Sequence, residues 1–202
     1  MDLSRIQPPE PYGALMFDCD GTLADSMPNH YRAWVDTLRA SGADLAEDHF
    51  YAMGGIPTPV IIQMLNEQFG YDLDVAATHA QKERRYTELL NTVQEIEAVA
   101  NIARAHFGKV PMAVASGGIG RVVEATLKNV GLRSLFEVVI SADDVANGKP
   151  SPDIFLLAAK RLGVAPQDCI VYEDAEPGLE AARRAGMRVV DVRVLWDAPA
   201  PR

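Results

Sequence analysis

The spacing of apolar positions changes twice along the chain. Leu15-Met16-Phe17 is an apolar run with no polar face, which predicts a strand over 14–18 buried on both sides. From Ser26 the period turns helical: after Ser26-Met27-Pro28, a helix start with an early proline, Tyr31, Trp34, Val35 and Leu38 recur at helix spacing. Further helices are predicted at 46–53, 59–69 and 74–91, with Thr58 as the N-cap and Pro59 as the first helical residue of the second of these. No strand candidate interrupts residues 26–92. Then helix and strand alternate: helix 95–106, strand 110–115, helix 120–130, strand 137–141, a helix opening at Ser151-Pro152-Asp153, strand 169–173, helix 177–185 and strand 187–192. Short connections between such units imply right-handed crossovers and an α/β fold, its parallel sheet covered by helices on both faces. Residues 1–12, with Pro8, Pro9 and Pro11, read as a loose lead-in, and the tail from Trp196 as frayed.

Composition narrows the partners. At 202 residues and 48% hydrophobic content, the chain can bury on the order of 70% of its unfolded surface. That suits one domain, or a core with a smaller inserted lobe. The formal net charge is −9, from 19 basic and 28 acidic residues, with no dense Lys/Arg cluster. Nucleic acid and membrane surfaces are therefore not expected partners, and an anionic substrate must be met locally by a metal, a lysine or backbone N–H groups. Cys19 and Cys169 fall in or beside predicted buried strands, as small packing residues in a reduced, cytoplasmic setting. No stretch approaches the roughly 20 apolar residues of a membrane span.

The first strand ends in Asp18-Cys19-Asp20-Gly21-Thr22. In extended chain Asp18, Asp20 and Thr22 leave on one side and Cys19 on the other. Two carboxylates held that close repel, and a divalent cation relieves them. Gly21 permits a sharp turn that brings main-chain N–H groups near whatever the acids bind. A plain Asp-Gly turn without a ligand fits the same five residues.

In a parallel sheet ligands sit at the carboxyl ends of the strands, so the residues just past each strand are the candidates. The second strand leads to Ser116-Gly117-Gly118, a hydroxyl and exposed N–H groups before a helix, which suits a phosphate. The third leads to Asn147-Gly148-Lys149-Pro150 and the fourth to Glu173-Asp174, a second acidic pair that equally serves a helix dipole. Together they place two acid pairs, a hydroxyl, glycines and one lysine on one edge. Oxygen-only ligands point to a hard cation such as Mg2+, and no His/Cys cluster suggests zinc. The combination implies phosphoryl transfer with a carboxylate nucleophile.

At this point the chain resembles the haloacid dehalogenase-like phosphohydrolase superfamily. The motifs Asp18-Cys19-Asp20-Gly21-Thr22, Ser116, Lys149-Pro150 and Glu173-Asp174 stand in its order, over about residues 13–195. The runs Lys149 to Phe155 and Glu173 to Ala182 resemble the branch that holds beta-phosphoglucomutases and small sugar-phosphate phosphatases. Gly55-Ile56-Pro57-Thr58, Pro111 to Val114 and Asp191 to Leu195 look most like bacterial fructose-1-phosphate phosphatases. The resemblance implies a Rossmann-like catalytic core from residues 1–25 and 93–202, with 26–92 as a helical cap inserted after the first motif. Hinges near Ala24–Met27 and Asn91–Val93 would let that cap close.

By position, the resemblance implies that Asp18 attacks phosphorus, while Asp20 protonates the leaving sugar oxygen and then activates water. Mg2+ would be held by Asp18, the Asp20 backbone carbonyl and Asp174, with Glu173 as a further ligand or a partner to one. Ser116, the Gly117 amide and Lys149 would hold the phosphoryl oxygens. Thr22, His30, Trp34 and Gly55 are the expected substrate-contacting positions, although Trp34 and His30 equally suit a packed first cap helix. The expected partner is a small phosphorylated metabolite, met by a monomer, with a dimer as the alternative.

Two departures favour hydrolysis over mutase chemistry. The cap loop Met53-Gly54-Gly55-Ile56-Pro57-Thr58 carries no Lys or Arg to grip a second phosphate, and Gly120 stands where the mutase pattern has Asn. Dehalogenases of the superfamily lack the second aspartate, present here as Asp20. A phospho-acceptor receiver module shares the chemistry, but its acid pair precedes the acceptor and it has no large helical insert.

Overall fold

The computed structural model describes residues 3–196. Five parallel strands form the central sheet: β1 (Ala14–Phe17), β4 (Met112–Ala115), β5 (Val138–Ile140), β6 (Cys169–Glu173) and β7 (Arg188–Asp191), in the order β5-β4-β1-β6-β7. β1 lies in the middle, pairing Leu15 with Met112 on one side and Ile170 on the other. Its residues alternate between two cores, as a strand covered on both faces must. Leu15 and Phe17 pack with α5 (Glu97–His106) and α6 (Gly120–Asn129), while Ala14 and Met16 pack with α7 (Asp153–Leu162) and α8 (Glu176–Arg184). Phe17 stacks on Tyr172 at 4.8 Å and meets Phe136 edge-on at 5.6 Å.

The helical stretch forms α1 (Met27–Arg39), α2 (Glu47–Ala52), α3 (Thr58–Phe69) and α4 (Val75–Leu89). Trp34, Leu38, Phe50, Ile62 and Leu65 give the first three a core of their own. A second, smaller cluster of Ala33, Tyr86 and Val122 joins α1 and α4 to α6. The chain passes between sheet and helical layer twice, through β2 (Ala24–Asp25) and β3 (Gln94–Glu95), which pair antiparallel. Strands this short leave no periodic trace, and the predicted helix at 95–106 loses its start to β3.

Other boundaries move for local reasons. α3 begins at Thr58, so Pro57 is its N-cap and Thr58 lies inside the helix. β4 begins at Met112, because Val110 and Pro111 lie outside the ladder, where the Pro111 carbonyl still accepts from the Leu15 N–H. The loose lead-in is a correction. Residues 3–6 form a 3-10 turn, Ile6 is fully buried, and its carbonyl accepts from the Tyr172 hydroxyl at 3.0 Å. Arg188 fastens the prolines by donating to the carbonyls of Pro9 and Pro11. The expected frayed tail lies outside the described residues from 197 onward; Trp196 itself is 54% exposed. Among the described residues no helix is long and apolar enough to cross a membrane.

Candidate active site

The parallel sheet brings the ends of β1, β4 and β6 and the loop after β5 to one edge, and buried polar groups collect there. Lys149 Nζ donates to Asp18 Oδ1 at 2.6 Å and to Glu173 Oε2 at 2.7 Å, with all three side chains buried. The other oxygen of Glu173 accepts from the backbone N–H groups of Asp174 and Ala175 at 3.1 and 3.0 Å. Asp174 Oδ1 accepts from the Thr22 hydroxyl at 3.0 Å. Thr22 thus orients Asp174 and does not line the cavity above the cluster. Two glycines make room: a Cβ on Gly21, whose φ is +84°, would collide with the Asp174 carboxylate, and one on Gly178 with that of Glu173.

Burial, with Glu173 next in effect, pushes the Asp18 carboxyl well up against the pull of Lys149. The same causes raise Asp174 to about 7. Burial would lower Lys149, but Asp18 and Glu173 outweigh it and hold the ammonium above its ordinary value. One cation is too little for three acids. Asp18, Glu173 and Asp174 each offer an oxygen within 4.8 Å of the others, an all-oxygen set that suits a hard divalent cation.

Asp20 has different surroundings. Its Oδ1 accepts from Ser26 Oγ at 2.6 Å and lies 3.1 Å from His30 Nε2. Lys82 Nζ is 2.9 Å from His30 Nδ1, and because an ammonium only donates, Nδ1 is the acceptor and Nε2 carries the proton given to Asp20. Burial opposes ionisation of Asp20, but His30, Ser26 and Lys82 outweigh it and hold the carboxyl at about 2. Burial and then Lys82 lower His30, in keeping with a neutral ring. His30 also stacks on Tyr86 at 3.8 Å.

Ser116 and Asp20 converge across Gly118, where a Cβ would stand 3.4 Å from Ser116 Oγ and 3.6 Å from Asp20 Oδ2. Gly117 faces open space, and among the described residues its N–H has no partner. Asp18, Asp20, Ser116, Gly117 and Lys149 line one cavity of about 350 Å³, roofed by the helical layer through His30, Trp34 and the loop at Gly55. Trp34 is 2% exposed and belongs chiefly to the core of that layer. Gly55, with φ +80°, lies so close to the loop after β6 that a Cβ would stand 3.2 Å from Pro177.

The sequence singled out neither Ser26 nor Lys82, Glu83 and Tyr86. Ser26 has the form of a helix cap, but its side chain makes no capping bond and goes to Asp20. Lys82 and Glu83 have the form of a solvated pair, yet they are 4% and 5% exposed. A Lys-Glu step on the otherwise buried side of α4 was the available signal.

A parallel sheet with carboxylates, a lysine and a serine at one edge suits phosphoryl transfer, and the likeness to known proteins makes this a phosphoric monoester hydrolase. The chain belongs to the haloacid dehalogenase-like hydrolase family, matched over residues 12–186. It is 42% identical over 187 residues to the fructose-1-phosphate phosphatase YqaB of Escherichia coli (strain K12), spanning 92% of this chain and 99% of that protein. Among solved structures it is similar to CbbY from Rhodobacter sphaeroides in complex with phosphate, with a TM-score of 0.81 and 30% identity, covering 89% of this chain and 85% of the other. It is also similar to a beta-phosphoglucomutase from Clostridium difficile, with a TM-score of 0.77 and 25% identity, covering 89% and 83%.

Proposed function

We propose that the protein is a Mg2+-dependent phosphatase of a small sugar phosphate, of the fructose-1-phosphate kind, working through an aspartyl phosphate on Asp18. The observation that carries this reading is the meeting of Asp18, Lys149, Glu173 and Asp174 at the sheet edge. An oxygen of Asp18 bonds to phosphorus as the phosphorus–oxygen bond to the sugar breaks, and the electron pair leaves with the sugar oxygen. Asp20 gives that oxygen a proton. It then takes one from the water that attacks phosphorus, freeing inorganic phosphate and restoring Asp18.

The hydrogen bonds from Ser26 and His30 keep the resting Asp20 ionised, the form that serves as a base. Loss of water as substrate fills the cavity raises a buried carboxyl and favours the acid form. Lys149, Ser116 and the Gly117 N–H hold the phosphoryl oxygens. Asp18, Asp174 and the Asp20 carbonyl are the proposed Mg2+ ligands, with Glu173 orienting Lys149 or joining them. The bound ion would offset the charge of the carboxylates and of the phosphoryl group. His30 acts on Asp20, Trp34 and Gly55 shape the wall, and Thr22 acts through Asp174. Residues 26–92 serve as a cap that moves about the β2–β3 ribbon, between core segments 1–25 and 93–202, in a cytoplasmic monomer.

The test is release of inorganic phosphate from fructose-1-phosphate, with Mg2+ present and with it chelated. Asp18→Asn is expected to lower turnover at least about a thousandfold while the circular dichroism spectrum is unchanged. Activity within about tenfold of wild type would rule out a covalent role. The mutase reading has the likeness to beta-phosphoglucomutase behind it. Against it, both lysines that line the cavity already face carboxylates. Isomerised ester without free phosphate, from a hexose phosphate and a trace of bisphosphate, would reverse that preference.

A further inference from the structure

One wall of the cavity is formed by α4, which presents His79, Lys82 and Glu83 beside the His30–Asp20 pair. Glu83 is unusual there. Its Oε1 accepts from Lys82 Nζ at 2.9 Å and stands 3.8 Å from His79 Nε2. Its Oε2 has no hydrogen-bond partner among the described residues, although the side chain is only 6% exposed. Among those residues, Thr37 Oγ1 is the one fully enclosed side-chain polar atom without a partner, so Glu83 Oε2 opens onto the cavity it lines. A carboxylate oxygen that opens onto the cavity is free to accept from a hydroxyl group that enters it.

The charge around it says what that donor is. Lys149 is held between Asp18 and Glu173, and Lys82 faces Glu83 and His30. Asp143, which also lines the cavity and whose charge reaches His79, adds a further negative charge while accepting from the Gly120 N–H at 2.8 Å. The charge of Arg121 reaches His79, but Arg121 does not line the cavity. The α4 wall therefore offers an acceptor and no unbalanced cation, which suits neutral hydroxyl groups and opposes a second phosphate.

We propose that Glu83 is a specificity-determining residue: its free oxygen accepts hydroxyl hydrogens from the sugar part of the substrate, and its charge excludes bisphosphates. The inference rests on the sugar-phosphate phosphatase reading and adds the device that selects a monophosphate with a hydroxyl-bearing tail.

The experiment compares kcat/KM of wild type, Glu83→Gln and Glu83→Asp, with Mg2+, on fructose-1-phosphate, a hexose bisphosphate and p-nitrophenyl phosphate. Glu83→Gln is expected to lower the preference for fructose-1-phosphate over p-nitrophenyl phosphate about tenfold or more, chiefly through KM. Preference for monophosphate over bisphosphate is expected to fall by a similar factor, because Lys82 loses its counter-charge. Glu83→Asp keeps that charge and draws the oxygen back, so it should lose the first preference and keep the second. A parallel fall on all three substrates, or unchanged ratios in both variants, would overturn the proposal. Wild-type protein that hydrolyses p-nitrophenyl phosphate but no hexose monophosphate would sink the sugar-phosphate reading itself, before any variant is made.

Discussion

Two lysines are buried among the described residues, and they are held in different ways. Lys149 sits in a loop beyond a strand and is clamped by Asp18 and Glu173, which come from the ends of two other strands. Lys82 sits within α4 and meets its sequence neighbour Glu83 and His30 of α1. Parallel strands bring their carboxyl ends to one edge whatever the loops do, so partners far apart in sequence meet through topology. The partners of Lys82 meet only because α1 and α4 pack at one particular rotation. The sheet edge builds a rigid charge cluster, while the helical layer builds a contact that any slip between helices would change.

The largest expected effect lies on the sheet side. Lys149→Met removes the cation between Asp18 and Glu173 and one proposed contact to the phosphoryl oxygens, and should lower kcat on the order of a hundredfold or more. Steady-state phosphate release at saturating Mg2+ checks this. A loss of less than about threefold would mean that a metal ion alone can replace the lysine. Gly178→Ala tests the same clamp indirectly. Its Cβ would drive into the Glu173 carboxylate and stand 2.6 Å from Glu173 Cγ, so Glu173 must leave Lys149. Turnover should fall about tenfold through mispositioning. Wild-type activity in this variant would show that the Glu173–Lys149 bond is dispensable.

A third effect concerns charge at the sheet edge in metal-free protein. Asp174 lies at about 7 in the folded state against an ordinary 3.8, and Asp18 is also raised. Between about pH 4 and 7 the folded protein therefore binds more protons than the unfolded chain, so its stability falls as pH rises through that window. Asp20, at about 2, acts in the opposite direction, losing its contribution as pH falls through that value. Metal-free protein should melt several degrees higher at about pH 5 than at about pH 8, and Mg2+ should restore most of the difference at the higher pH. Equal melting temperatures without metal would show that Lys149 already balances the site.

Legibility in the sequence follows the same divide. β1, β4 and β6 are fully buried runs, the edge strands β5 and β7 are short and half-buried around valines, and their order of alternation with helices gives the parallel sheet. Once that is granted, Asp18, Ser116, Lys149 and Glu173 fall at one edge without further information. The helices of the inserted stretch are equally legible as periodic segments. Which of their faces meet is not, because the rotation of α4 against α1 depends on interlocking side chains such as Tyr86 and Ala33. Hence Ser26 reads as a cap and Glu83 as a solvent residue, and both lie in or beside the cavity. The β2–β3 ribbon is hidden for another reason: two-residue strands have no period.

The smallest effect tests how firmly the helical layer rests on the sheet layer. The Tyr86 hydroxyl stands 3.0 Å from Thr126 Oγ1, both residues fully buried, and the pair bridges α4 and α6. Tyr86→Phe keeps the ring and its stacking on His30 but leaves the Thr126 hydroxyl without this partner. The expected cost is about 1 kcal/mol. For a chain of this size that lowers the melting temperature by about 2–4 °C, measured by thermal denaturation with Mg2+ present. If the bridge holds through turnover, kcat should not change by more than about twofold, because His30 and Asp20 keep their geometry. An altered kcat with an unchanged melting temperature would mean that the bridge breaks and reforms in each catalytic cycle, and this contact would then join the β2–β3 ribbon as a second place where the proposed cap moves.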